Sequence, residues 1–90
     1  MMKLSELASA VGGELRGADV EYASVGTDSR HVEQGQLFVA LKGARFDGNK
    51  YALQAINDGA AAVMVSDATL TISPAVVVAD TRLALGQLAA

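Results

Sequence analysis

Two short segments hold most of the side chains in this sequence that could meet a ligand. Thr27-Asp28-Ser29-Arg30 places two hydroxyls, a carboxylate and a guanidinium in consecutive positions, and together these offer several directed donors and acceptors. The same four residues also read as an Asx or Ser/Thr turn, with Arg30 solvated or bridging to Asp28. The second segment, Lys42-Gly43-Ala44-Arg45-Phe46-Asp47-Gly48-Asn49, directly follows a continuous apolar run from Leu37 to Leu41. Lys42 and Arg45 can neutralise phosphate, Phe46 can stack on or wall off a planar ring, and the glycines let a backbone approach closely. Its plainer reading is a solvated connection with Phe46 tucked into the core. On composition alone the plainer reading carries more weight for both segments.

Other chemistry finds little footing. There is no G-x-x-x-x-G-K-[ST] phosphate loop, no G-x-G-x-x-G and no G-x-S-x-G, so no residue is read as catalytic. The chain has no Cys and a single His, His31, which excludes disulfides and thiolate metal sites and leaves no basis for a histidine zinc site. A net charge of −3 argues against a broad nucleic-acid surface, which needs clustered Lys and Arg. No apolar run approaches a membrane span. Lys3 and Glu6 interrupt the stretch that a signal peptide would need. The default is a soluble, cytoplasmic domain. His31 reads as an exposed loop residue, Tyr22 and Tyr51 as half-buried packing residues, and Asp80-Thr81-Arg82 as a helix cap with a surface Arg.

The elements that must carry these segments follow from hydrophobic spacing. With 90 residues, 51% of them hydrophobic, one domain is expected, 1–90, with a thin single core. Met1 to Gly13 reads as a short helix with Leu4, Leu7, Ala8 and Val11 at helical spacing, capped at or just before Ser5 and stopped by Gly12-Gly13. Glu14 to Val25 reads as two short strands joined by a turn at Gly17-Ala18-Asp19. Leu37 to Leu41 is a strand buried on both faces. A helix over Tyr51 to Gly59, capped by Asn49, follows, then strands over Ala60 to Val65 and Ala75 to Ala79. A last helix is capped by Asp80, with Leu83 and Leu88 on one face. Helices interleaved with continuous apolar strands predict an α/β fold: a small layered domain with a mainly parallel sheet flanked by helices. The helical character of Leu85 to Ala90, with no stop signal, suggests a piece of a longer chain. The residues by themselves support a binding module for a small anionic ligand, not an enzyme.

At the two polar segments the sequence resembles the N-terminal domain of the Mur ligases. The resemblance runs through Thr27-Asp28-Ser29-Arg30, Gly35 to Gly43, Arg45-Phe46-Asp47-Gly48, Gln54-Ala55-Ile56, Gly59 to Val63 and Asp80 to Ala89, in the family's order and spacing. Two branches share this domain type, and the sequence is more like the one that adds D-alanyl-D-alanine to UDP-N-acetylmuramoyl-tripeptide in peptidoglycan synthesis. The resemblance implies a three-domain, ATP-dependent amide ligase. Its N-terminal domain holds the UDP end of the substrate, while central and C-terminal domains supply ATP with Mg and the incoming amine. This fragment would be inactive alone. Carried over by position, Thr27, Asp28, Ser29 and Arg30 match the loop at the uridine end, and Gly43, Ala44, Arg45, Phe46 and Asp47 match the second wall. Lys42 is placed for the diphosphate or is solvated. Asn49 stands where many family members carry His, and is read as a cap rather than a ligand contact. The alternatives are the same domain from the neighbouring third-residue ligase, or a non-catalytic sensor or interaction domain of this fold.

Overall fold

The computed structural model describes residues 2–89, so Met1 and Ala90, the outer ends of the first and last helical readings, lie outside the described residues. The chain runs β1 (Met2–Lys3), α1 (Leu4–Val11), β2 (Glu14–Arg16), β3 (Glu21–Tyr22), β4 (Ser24–Gly26), β5 (Gln36–Val39), a 3-10 turn (Gly48–Tyr51), α2 (Ala52–Asn57), β6 (Ala62–Val65), β7 (Ala75–Val77) and α3 (Thr81–Ala89).

Five strands form one sheet in the order β2-β7-β6-β5-β4. Neighbours from β4 to β7 are parallel, and only β2 joins antiparallel, against β7. The expected mainly parallel α/β layer fold is therefore present. Every residue of β5 and of β6 is buried, which is why these strands read as unbroken apolar runs rather than alternating ones. Alternation sorts their side chains between two cores. Leu37, Val39, Met64 and Val76 pack with Leu4 and Leu7 of α1 and Ala84 of α3 on one face. Phe38, Val63, Val65 and Ala75 pack with Ala52 and Ala55 of α2 on the other, where Leu70 and Ile72 of the β6–β7 connection complete the cover. A fully buried Leu, Val or Phe in such a layer contributes about 1.5–3 kcal/mol relative to exposure.

Three local readings are corrected by long-range contacts. The segments Glu14–Arg16 and Glu21–Tyr22 do not form a hairpin: β2 pairs with β7, and β3 pairs with β1 in a separate two-stranded ribbon. α1 is capped just before Ser5, as expected. Lys3 is the N-cap residue, and its amide donates to Glu6 Oε1 at 3.3 Å, while Asp19 adds a second carboxylate that accepts from the Ser5 amide at 2.9 Å and from Ser5 Oγ at 2.7 Å. The stop is as expected, with Gly12 in the left-handed region at φ 67°. The last strand ends at Val77 rather than Ala79. Leu83 is 64% exposed, and α3 turns Ala84 and Leu88 inward instead.

Because β4, β5, β6 and β7 point the same way, the segments that follow them all emerge on one rim of the sheet. Ligands in open α/β sheets bind at this carboxyl rim. Thr81 seals it from beneath by donating from Oγ1 to the Ala40 carbonyl at 2.6 Å.

The Asp19 contact couples stability to pH. The Ser5 hydroxyl, with the Ser5 amide, holds the Asp19 carboxyl below its ordinary 3.8. The Thr69 hydroxyl does the same for Asp67. Carboxyls depressed on folding contribute stability that is complete above the unfolded pKa and is lost as pH falls through the folded one. The thermal midpoint is expected to fall from about pH 4 downward, and Asp19→Asn to make that fall shallower while lowering the midpoint at neutral pH. Equal slopes for the two proteins between acid and neutral pH would show that Asp19 does not carry the effect.

Candidate functional site

The first wall of the site begins where β4 ends. The side-chain amide of buried Gln36 lies against the α-carbon of Gly26, so any side chain at Gly26 would collide with it. The chain then turns at Asp28. Asp28 Oδ1 accepts from the Arg30 amide at 2.9 Å and from Arg30 Nε at 3.1 Å, and Oδ2 accepts from Nη2 at 3.3 Å. The Asp28 carbonyl accepts from the His31 amide. The Asx turn and the Arg30–Asp28 bridge are thus both present. Arg30 beside Asp28 holds the carboxyl below its usual range, and Asp28 raises the guanidinium's pKa further. Charge in this segment is internally balanced. The hydroxyls of Thr27 and Ser29, on either side of Asp28, have no protein hydrogen-bond partner among the described residues, so they remain able to donate and accept.

The second wall is a tight turn after β5. Lys42 and Asp47 face each other as an antiparallel bridge, and the Gly43 amide donates to the Phe46 carbonyl at 2.6 Å. The Gly48 amide then donates to the Leu41 carbonyl at 2.7 Å. A Cβ on Gly48 would sit 2.8 Å from that same carbonyl oxygen, so only glycine lets the chain fold back this closely. The turn leaves Phe46 46% exposed, not anchored in the core. Its ring stacks on Tyr51 with centroids 6.1 Å apart and planes 18° from parallel.

Asn49 holds the turn in place, and its role differs from the expected cap. The cap is Asp47, whose carboxylate accepts from the Asn49 amide at 3.1 Å. Asn49 itself is buried. Its Nδ2 donates to Asp47 Oδ1 at 2.8 Å and Ser66 Oγ at 3.2 Å, while its Oδ1 accepts from the amides of Ser66 at 3.0 Å and Asp67 at 3.3 Å. The donated bond keeps the Asp47 carboxyl below its ordinary pKa. All donors and acceptors of this amide are occupied, and it ties the turn after β5 to the end of β6.

The two walls enclose a cavity of about 500 Å³ lined by Thr27, Asp28, Ser29, Arg30, Phe46 and Tyr51. The structure therefore brings the first polar segment and Phe46 together. It sends Lys42 elsewhere, into a smaller notch of about 210 Å³ with Ser66, Ala79, Asp80, Thr81 and Arg82. Gly43, Ala44 and Arg45 are exposed on the turn and do not line the cavity. Asp47 is engaged with Asn49. Tyr51 joins the cavity although its sequence neighbours suggested packing. The available signal was its position just past Asp47-Gly48, where a turn that doubles back would return it to Phe46. There is no phosphate-loop motif, and no group of three His, Cys, Asp or Glu among the described residues could hold a metal ion.

Residues 21–90 match the family described as "Mur ligase family, catalytic domain". The chain is 49% identical to the UDP-N-acetylmuramoyl-tripeptide–D-alanyl-D-alanine ligase of Escherichia coli K12, over 97% of this chain and 19% of that protein. It is 40% identical to the UDP-N-acetylmuramoyl-L-alanyl-D-glutamate–2,6-diaminopimelate ligase of Gloeobacter violaceus, over 83% of this chain and 16% of that protein. The crystal structure of MurF from Acinetobacter baumannii superposes with a TM-score of 0.76 at 37% identity, covering 93% of this chain and 19% of the other. The chain thus spans about a fifth of the length of these relatives.

Loss of the Asn49 amide would leave two main-chain N–H groups without their acceptor. Asn49→Ala is expected to lose about 2–3 kcal/mol in urea unfolding, since part-buried donors left unpaired cost about 1–3 kcal/mol. A loss below about 0.5 kcal/mol would mean that water replaces the amide at no cost.

Proposed function

This chain belongs to the Mur ligase family, and on that premise we propose that it is the module that anchors the UDP end of UDP-N-acetylmuramoyl-tripeptide in a cytoplasmic ligase that adds D-alanyl-D-alanine. The observation that carries the reading is the single cavity that unites the Thr27–Arg30 turn with Phe46, two segments distant in sequence. The greater identity to the D-alanyl-D-alanine ligase, 49% against 40% for the diaminopimelate ligase, favours that branch over its neighbour.

In the proposed division of labour, central and C-terminal domains bring ATP with Mg and the incoming dipeptide, and amide-bond chemistry takes place there. The residues of this domain bind and orient. Thr27 and Ser29 offer hydroxyls to the polar groups of the nucleoside. Phe46 excludes water from one side, and the Asp28–Arg30 pair holds the turn in shape. Lys42 stands on the same rim, on the far side of the turn, where it meets charge that extends out of the cavity. Binding energy from the nucleotide end, remote from the reacting carboxylate, is then available to position that carboxylate for reaction. Closure of the domains around the substrate would exclude water from the reacting centre.

An NMR titration with UDP-N-acetylmuramoyl-tripeptide and with UDP is expected to shift the amides of Thr27 to Arg30 and Phe46 saturably, with AMP as the control that does not. Ser29→Ala is expected to weaken UDP binding about tenfold, the loss of one hydrogen bond to a ligand. Absence of shifts from both uridine ligands in the full-length protein would favour a sensor or interaction domain of this fold instead.

A further inference from the structure

We infer that Tyr51, backed by Phe46, is the base-stacking residue of this site: the two rings form a preformed aromatic platform on which the uracil of the ligand lies. The inference rests on the uridine-anchoring reading and names the residue that would hold the base.

Exposure is the first observation. Phe46 is 46% and Tyr51 39% exposed, in a domain whose other aromatic residues, Phe38 and Tyr22, are buried. Two neighbouring aromatic rings left open to water lose burial free energy that a ligand would restore. Their mutual geometry is the second. At 6.1 Å and 18° the rings are offset as well as stacked, so ring face remains for a further planar group at the spacing aromatic pairs adopt.

Charge is the third. Among the described residues, the one cation lining the cavity, Arg30, is paired with Asp28 at 3.1 Å. With those two charges cancelling, the cavity suits a neutral heterocycle rather than a phosphate. Thr27 and Ser29 line the same cavity, and their hydroxyls, without a protein hydrogen-bond partner among the described residues, can donate to or accept from the edge of a pyrimidine. Stacked aromatic rings in one cavity with hydroxyl donors and acceptors fit a nucleobase.

Rigidity is the fourth. Tyr51 ends the 3-10 turn that Asp47 caps, and that turn is tied to β6 through the buried Asn49 amide. The platform is fixed before the ligand arrives, so little ordering is lost on binding.

The test uses the full-length protein with uridine as probe and ribose 5-phosphate as control. Binding to wild type is expected to move the uracil H5 and H6 proton resonances upfield, the signature of a ring lying over an aromatic face. Tyr51→Leu, which keeps bulk without a π face, is expected to abolish that shift and weaken uridine binding about tenfold, in line with stacking losses seen on removing aromatic residues. Tyr51→Phe is expected to retain both the shift and the affinity, which separates loss of stacking from loss of fold. Binding of ribose 5-phosphate should not change between the variants. If uridine binds wild type with unshifted H5 and H6, or binds Tyr51→Leu with unchanged affinity, the stacking proposal is overturned while the anchoring reading stands. If uridine does not bind wild type at all, the anchoring reading itself fails and the proposal falls with it.

Discussion

A single buried amide decides where the turn after β5 lies. Asn49 spends its full hydrogen-bonding capacity on two carriers of the rim, the Asp47 carboxylate on its own turn and the Ser66 hydroxyl with the Ser66 and Asp67 amides at the end of β6. A loop of this length on a small domain would otherwise sample many conformations, because ordering each residue costs about 1–2 kcal/mol. The amide has two donors and an acceptor oxygen with two lone pairs, which matches the four partners it meets. Gly48 completes the constraint from the other side, by allowing backbone to lie directly on backbone at Leu41. The stacked rings, Phe46 and Tyr51, lie on either side of these anchors in the sequence.

The rim also separates two kinds of chemistry. On one side of the turn lies the cavity, with its cancelled charge and open aromatic faces. On the other lies the notch with Lys42 and Arg82, next to the carboxylate of Asp80, which accepts from the amides of Arg82 and Leu83 at the start of α3. A ligand with a neutral ring at one end and charge at the other would find different surroundings on the two sides. The sheet beneath is indifferent to this division. β5 and β6 bury all their side chains and present only their ends.

Much of this arrangement could be read from the sequence. β5 and β6 are legible from the runs Leu37 to Leu41 and Ala60 to Val65, which nothing polar interrupts, although β5 ends at Val39 and β6 starts at Ala62, and Asp80 caps α3 because an Asp before a helical run satisfies its first amides. Thr27 to Arg30 is legible because two hydroxyls, a carboxylate and a guanidinium in consecutive positions offer directed donors and acceptors. What could not be read depends on contacts between distant residues. Glu14–Arg16 is no different locally from one arm of a hairpin, yet it pairs with β7. The start of α1 just before Ser5 is legible locally, but the carboxylate that Asp19 brings to its first turn is not. An Asn before a helix is most simply a cap, and only the proximity of β6 turns Asn49 into a tie. Lys42 and Phe46 belong to one loop, and the antiparallel bridge from Lys42 to Asp47 sends them to opposite sides of it.

The placement of the tyrosines has an optical consequence. The sequence has two tyrosines and no tryptophan, so near-ultraviolet absorption and emission come almost entirely from these two phenols. Tyr22 is 5% exposed, and its hydroxyl meets the Met2 sulfur at 2.8 Å, so its surroundings are set by folding alone. Tyr51 is open to the cavity and in van der Waals company with a second ring. One chromophore thus reports whether the domain is folded, and the other reports what occupies the cavity, with no label attached to either.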